Sequence, residues 1–315
     1  QFALIWKEAN KRFDEYGNDK ITGTNGFYAM KAHWSEHPDR DETWADAERA
    51  RIGEERFRRE HECEFLIFDE TLISSITLAD MEGNAPVETT GQVRWFKKPT
   101  PGMTYMVSLD PAMGTGGDFA AIQVFELPTF EQVGEWHHNT TPMNQQIRIL
   151  QGINKHIYDT IMEQDASASP QIFYSMENNT IGEAALLRVM DIGEENIQGM
   201  FLSEPIRKGH RRKFRRGFNT TAKFKIDACT KFKELVEGGK MKINSQLLIS
   251  ELKDFVASGL SFKAKPGQHD DLVSACLLMT RMMKVLADFD PKIFEKWTDR
   301  TSELTPMPIF GSFTG

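Results

Sequence analysis

One stretch limits the choice of fold more than any other. It runs Tyr105-Met-Val-Ser-Leu-Asp110, then the turn Pro111-Ala-Met-Gly-Thr-Gly-Gly-Asp118, then Phe119-Ala-Ala-Ile-Gln-Val-Phe125. Two short apolar runs joined by a glycine-rich reversal read as paired strands. The first ends in an acid. Such an acid stands at the rim of a sheet, where its charge stays hydrated while the backbone behind it is buried. Asp110 is therefore the first candidate for a functional group. Residues 119–126 give the second strand and 132–138 a third, which makes an antiparallel meander.

The pattern beyond it alternates helices and strands. Pro142 opens a helix to about residue 164, with Ile147, Leu150, Ile153, Ile157 and Ile161 on one stripe. Residues 171–176 form a buried strand that ends at Glu177, a second strand closed by an acid. Asn178 and Asn179 can cap a helix over 181–190, and a strand follows at 199–202. Helices are predicted over 220–237 and 245–257, a short strand at 241–243, and an edge strand or extended loop at 260–265. His269-Asp270-Asp271 opens a last helix to about 286, whose almost wholly apolar body is packed on both sides or lies along a sheet.

Ahead of the meander, the spacing predicts a helix over 2–13, a strand over 27–34, a charged helix over 43–61 and a strand over 63–68. Residues 81–87 and 97–102 are rich in proline, glycine and small polar residues, as linkers are. The expected organisation is an α/β linker segment over 1–95, a main domain over 96–287 and a loosely held tail over 288–315.

With 315 residues and 40% apolar content the chain can bury a proper core. Apolar runs such as 277–279 are far below the roughly 20 residues of a membrane helix, and no signal-peptide pattern opens the chain, so a soluble, intracellular protein is expected. Cys63, Cys229 and Cys276 are too scattered for a disulfide framework or a zinc cluster. No G-x-x-x-x-G-K-[ST] phosphate loop is present. Gln1 falls inside a helical pattern without a start signal, which suggests a piece of a longer chain.

Asp110, Glu177 and the pair Asp270 and Asp271 share one position, where a buried element meets the surface. Clustered carboxylates repel and persist together only when something positive neutralises them. Hard oxygen ligands select Mg²⁺ or Mn²⁺, and two such ions about 4 Å apart suit phosphodiester hydrolysis. The blander reading makes Asp270 and Asp271 caps on a helix dipole. Asp271 shares a helical stripe with Ala275, Leu278 and Met282, which favours it as the inward member, with both retained. Asp118 is a ligand, a support for one, or a solvated turn acid. His269 can contact a phosphate or move a proton, or simply cap its helix. His137 and His138 read as structural or solvated, and Asn178 as a cap first and a site-lining group second.

The net charge of −8 excludes a uniformly basic binder, yet charge is unevenly spread. No acid occurs between 205 and 226, and Arg207, Lys208, Arg211, Arg212, Lys213, Arg215 and Arg216 crowd into ten positions. Such a patch can displace counterions from a phosphate backbone, although a solvated charged loop has the same composition.

Together, Ser-Leu-Asp110-Pro-Ala with the Gly-Thr-Gly-Gly-Asp118 turn, Met-Glu177-Asn-Asn and His-Asp270-Asp271-Leu-Val resemble the nuclease domain of the large terminase subunit of tailed bacteriophages. The resemblance spans about residues 96–287, and residues 27–75 look like the segment joining the packaging ATPase to it. It implies an RNase H/RuvC-like fold, with a mixed central sheet flanked by helices, and catalytic acids at Asp110, Glu177 and Asp270 or Asp271. It also implies Mg²⁺- or Mn²⁺-dependent endonuclease cleavage of concatemeric viral DNA during packaging. The implied partners are double-stranded DNA, the terminase small subunit, the portal and the procapsid. The implied location is the host bacterial cytoplasm, transiently at the procapsid portal. Lacking the ATPase core, this chain should cut without translocating. The rival readings are an actin-like kinase or ATPase, a RuvC-like resolvase or integrase, and a packaging module that holds DNA without cutting it.

Overall fold

The structure, a computed structural model, describes residues 2–11, 21–63, 70–205, 216–259 and 261–289. The chain divides into two compact units, one of Gln1–Phe68 with Ser75–Asp80 and the other of Asp69–Ser74 with Met81–Gly315.

The first unit carries α1 (Phe2–Ala9), α2 (Glu42–Ile52), α3 (Glu54–Glu60) and α4 (Ser75–Asp80). Its buried cluster is Trp34, Ala45 and Phe57, with Trp44 and Ile52 packed against it. Asp41 caps α2 by accepting the Trp44 backbone N–H at 2.8 Å. The single helix expected over 43–61 is two, because Gly53 turns the chain between them at φ 84°, a backbone region open to glycine. The strand expected over 27–34 does not form among the described residues. Ala29 is buried, but Phe27, Tyr28 and Met30 are exposed, so the alternation has no apolar face to bury. The strand expected at 63–68 lies outside the described residues apart from Cys63.

The second unit is built on a seven-stranded mixed sheet. Its strands are β1 (Glu88–Thr90), β2 (Val93–Trp95), β3 (Thr104–Asp110), β4 (Ala120–Leu127), β5 (Glu131–His138), β6 (Gln171–Met176) and β7 (Met200–Phe201), in the order β1-β2-β5-β4-β3-β6-β7. The meander β3-β4-β5 is antiparallel as expected, and β6 and β7 run parallel to β3. The unit boundary falls after Asp80 rather than at 95/96. The reason is that Val93 and Trp95 are buried and β2 pairs with β5, so this glycine- and proline-flanked hairpin extends the sheet.

Period-two alternation assigns the faces. Tyr105, Val107 and Leu109 join one core with Ile147, Leu150, Ile153, Ile157 and Ile161 of α5 (Met143–Gln164) and with Ala185 and Val189 of α6 (Thr180–Ile192). The other face is covered by α9 (Asp271–Phe289), on which α7 (Ala222–Glu237) and α8 (Gln246–Asp254) pack, with the hairpin β8 (Phe255–Ser258) and β9 (Ser261–Ala264) beside them. The expected strand at 241–243 is reduced to the isolated bridge between Glu131 and Lys242. The tail beyond Phe289 lies outside the described residues. No helix among the described residues is long and apolar enough to cross a membrane.

Candidate functional site

Ser108 sets the register between sheet and helix. Its hydroxyl donates to the Ala275 carbonyl of α9 at 2.7 Å, fully buried. Two residues along the strand, about 6.7 Å away, Asp110 emerges on the same face. Four residues back along α9, about 6 Å away, stands Asp271. On the neighbouring strand Leu109 pairs with Met176, and the Glu177 N–H donates to the Leu109 carbonyl at 3.1 Å. Asp110 and Glu177 thus leave adjacent parallel strands side by side. The three expected acid-bearing ends converge on one rim.

Asp270 and Asp271 differ in their surroundings. The Asp270 carbonyl accepts the Ser274 N–H at 2.8 Å and so starts α9. Its carboxylate accepts the Ala264 N–H at 3.3 Å and lies 3.9 Å from the Lys225 ammonium on α7. Asp271 receives the Phe119 backbone N–H, while its Oδ2 is buried without a hydrogen-bond partner, 3.6 Å from His269 Nδ1. The spare oxygen belongs to Asp271, the member the helical stripe favoured.

The electrostatics record the crowding. Burial, and then Glu177, Asp271 and Asp270, push the Asp110 carboxyl well above the usual carboxylate range. Burial and then Asp270 push Asp271 up to about 6, with Asp118 adding to the rise. Each proton retained stands in for a missing positive charge. The donor set is all oxygen, which suits a hard divalent cation. As they stand, no three His, Cys, Asp or Glu side chains among the described residues are placed to hold an ion together.

The remaining expected residues fall around this rim. Asp118 is exposed but close enough for Asp271 to feel its charge. His269 is exposed and leans on Phe119, with ring centroids 4.7 Å apart. Asn178 is buried and donates to the Arg216 carbonyl at 2.7 Å, so it anchors a loop instead of capping a helix. Asn179 is the cap, accepting from Ile181 and Gly182. The glycine turn is tied down: Gly116 N–H donates to the Asn139 carbonyl at 2.9 Å and Asn139 returns a bond to Gly116 at 3.1 Å. Arg207, Lys208, Arg211, Arg212, Lys213 and Arg215 lie outside the described residues. Arg216 pairs with Glu194 and packs over the Phe201 ring. Ser108 and Lys225 went unread in the sequence. A lone serine inside an apolar strand signalled the first, and a lysine near the end of the acid-free stretch signalled the second.

A cleft of about 740 Å³ lined by Phe218, Phe224, Met283 and Lys284 is distinct from this rim, some three turns along α9 from Asp271. The acids stand at an open edge, which suits a polymer more than an enclosed small molecule.

The family described as the terminase RNaseH-like domain matches residues 107–282, from within β3 to within α9. Among solved structures, the large terminase nuclease from thermophilic phage G20c with bound magnesium is 16% identical, with a TM-score of 0.50, over 68% of this chain and 97% of its own. The same nuclease with bound cobalt gives equal values. The nuclease domain of the Thermus phage P74-26 large terminase is 17% identical, with a TM-score of 0.46, over 64% of this chain and 91% of its own. At such identity the G20c likeness is one of fold, a mixed sheet flanked by helices. The family match spans more than half of the chain, and this protein belongs to the terminase RNaseH-like domain family.

Proposed function

We propose that this chain is a divalent-metal-dependent DNA endonuclease that cuts concatemeric viral DNA into genome lengths during packaging. The observation that carries the reading is the convergence of Asp110, Glu177, Asp270 and Asp271 on one open rim, where mutual repulsion and burial hold the Asp110 and Asp271 carboxyls above their usual range. Family membership supports a nuclease role in DNA packaging, and the G20c nuclease, which binds magnesium or cobalt, has the same fold.

Asp110, Glu177 and Asp271 would hold Mg²⁺ or Mn²⁺, with Asp270 beside them. Bound there, such ions activate water and offset charge on the phosphodiester. The chain's own groups do the rest. Asp110, at the end of β3, stands beside Glu177, which follows β6, and near Asp271 at the start of α9. Lys225 faces the cluster from α7 and can meet a phosphate oxygen.

The basic run supports DNA as the substrate. Its flanks are pinned beside Glu177: Glu204 N–H donates to the Gly217 carbonyl at 3.2 Å, and Asn178 N–H to the Phe218 carbonyl at 2.6 Å. Arg207, Lys208, Arg211, Arg212, Lys213, Arg215 and Arg216 are the cations this reading assigns to the phosphate backbone of DNA. By this reading the partners are double-stranded DNA, the terminase small subunit and the portal of the procapsid, in the cytoplasm of an infected bacterium. By the same reading the first unit, residues 1–68 with 75–80, is the end of the packaging ATPase with its linker.

The test is supercoiled plasmid with the protein and Mg²⁺ or Mn²⁺. Nicking and linearisation are expected, and a folded Asp110→Ala protein should lose at least a hundredfold in rate. Undiminished cutting by that variant would remove the assignment, and tight, salt-sensitive binding without cutting would make the chain a DNA holder.

A further inference from the structure

One buried carboxyl near the rim has no part in the site as described. Glu251, on α8, is buried, and its Oε2 accepts the Val273 N–H in the first turn of α9 at 3.1 Å. Its Oε1 faces His137 Nε2 at 3.6 Å, and neither atom has a hydrogen-bond partner. The His137 ring stacks on Phe119, with centroids 4.1 Å apart and planes 14° from parallel. Phe119 gives its backbone N–H to Asp271, and its ring meets His269 edge-on. Two routes therefore lead from Glu251 to Asp271, one through the first turn of α9 and one through the His137–Phe119 stack.

We propose that Glu251 is a positioning residue, clamping the first turn of α9 to the His137–Phe119 stack and so setting where Asp271 points. Protonation fits that role. Burial, with Asp271 and Asp270 adding to it, pushes Glu251 up to about 9, and burial, then Arg94 and His269, pull His137 down to about 4. A neutral acid thus faces a neutral imidazole, and a small rotation closes Oε1–H onto Nε2. A neutral clamp also avoids a further negative charge beneath the crowded acids. The helical spacing held the clue: residue 251 borders the apolar stripe of Leu248, Leu252 and Phe255.

The inference rests on the metal-centre reading through Asp271, and the experiment separates the two. Mn²⁺ binding by electron paramagnetic resonance is compared for wild type, Glu251→Gln and Glu251→Leu, and the His137 imidazole ¹⁵N spectrum is recorded without metal. Glutamine keeps one donor and one acceptor, so its Mn²⁺ affinity should stay within about twofold of wild type, while leucine loses about tenfold to a hundredfold. The wild-type spectrum should show His137 as the Nδ1–H tautomer with Nε2 accepting. Unchanged Mn²⁺ affinity in Glu251→Leu, an equal loss in Glu251→Gln, or an Nε2–H tautomer overturns the clamp. A wild type that binds no Mn²⁺ overturns the metal-centre reading instead, and the tautomer, which needs no metal, then decides the clamp alone.

Discussion

Replacing Asp110 by asparagine keeps the side chain's size and removes one charge from the cluster. Asp110 and Glu177 follow a register pair on adjacent parallel strands, so their backbones stand about 5 Å apart, and their carboxyls come within hydrogen-bond reach. Two full charges about 5 Å apart repel by about 3 kcal/mol at an effective dielectric of 20. Retaining a proton lets the wild type escape part of this, which leaves a net gain of about 1–2 kcal/mol for the metal-free variant near pH 8. For a domain of this size that is roughly 2–8 °C in Tm. The sign follows from the raised Asp110 value: the wild type loses stability as pH rises from about 4 through the folded-state pKa, whereas asparagine does not titrate. Melts by circular dichroism in EDTA at low salt, from pH 5 to pH 9, should show a gain that grows with pH. An Asn variant that melts at or below wild type at pH 8, or a gain that is flat in pH, would refute the reasoning.

Other outcomes follow from the same geometry. A Cβ on Gly182 would collide with the Glu177 carbonyl, so Gly182→Ala should cut cleavage more than tenfold and lower Tm, measured on plasmid and by melting. Ser108→Ala removes the buried hydroxyl bond between β3 and the Ala275 carbonyl of α9 and should cost about 1 kcal/mol in urea unfolding. Asp271, with its carboxyl up near 6, and Asp110, raised well above the usual range, must both give up protons to bind a cation, so calorimetric Mn²⁺ affinity should rise up to about tenfold between pH 5 and 6 and keep rising above 7.

The sheet's centre was legible because β3, β4 and β6 are short apolar runs with clear stops, and two of those stops are acids. Convergence of the acids was an inference from order along the chain, and the Ser108–Ala275 bond supplies its physical basis; a lone serine in an apolar strand marks one end of that bond and nothing in the sequence marks the other. The helix over 43–61 misled because its seam continues past Gly53 while the backbone does not. The hairpin of β1 and β2 went unread because the linker-like stretches 81–87 and 97–102 on either side of it outweigh two three-residue strands. Asn178 and Glu251 were hidden for a different reason. A polar residue bonded to a distant backbone looks, in sequence, like a cap or a solvated face.

The most direct measurement is anomalous scattering from crystals soaked in Mn²⁺. One or two manganese peaks are expected among the carboxylates of Asp110, Glu177 and Asp270 or Asp271. A protein that cleaves DNA in Mn²⁺ solution yet shows no manganese at this rim would contradict the account.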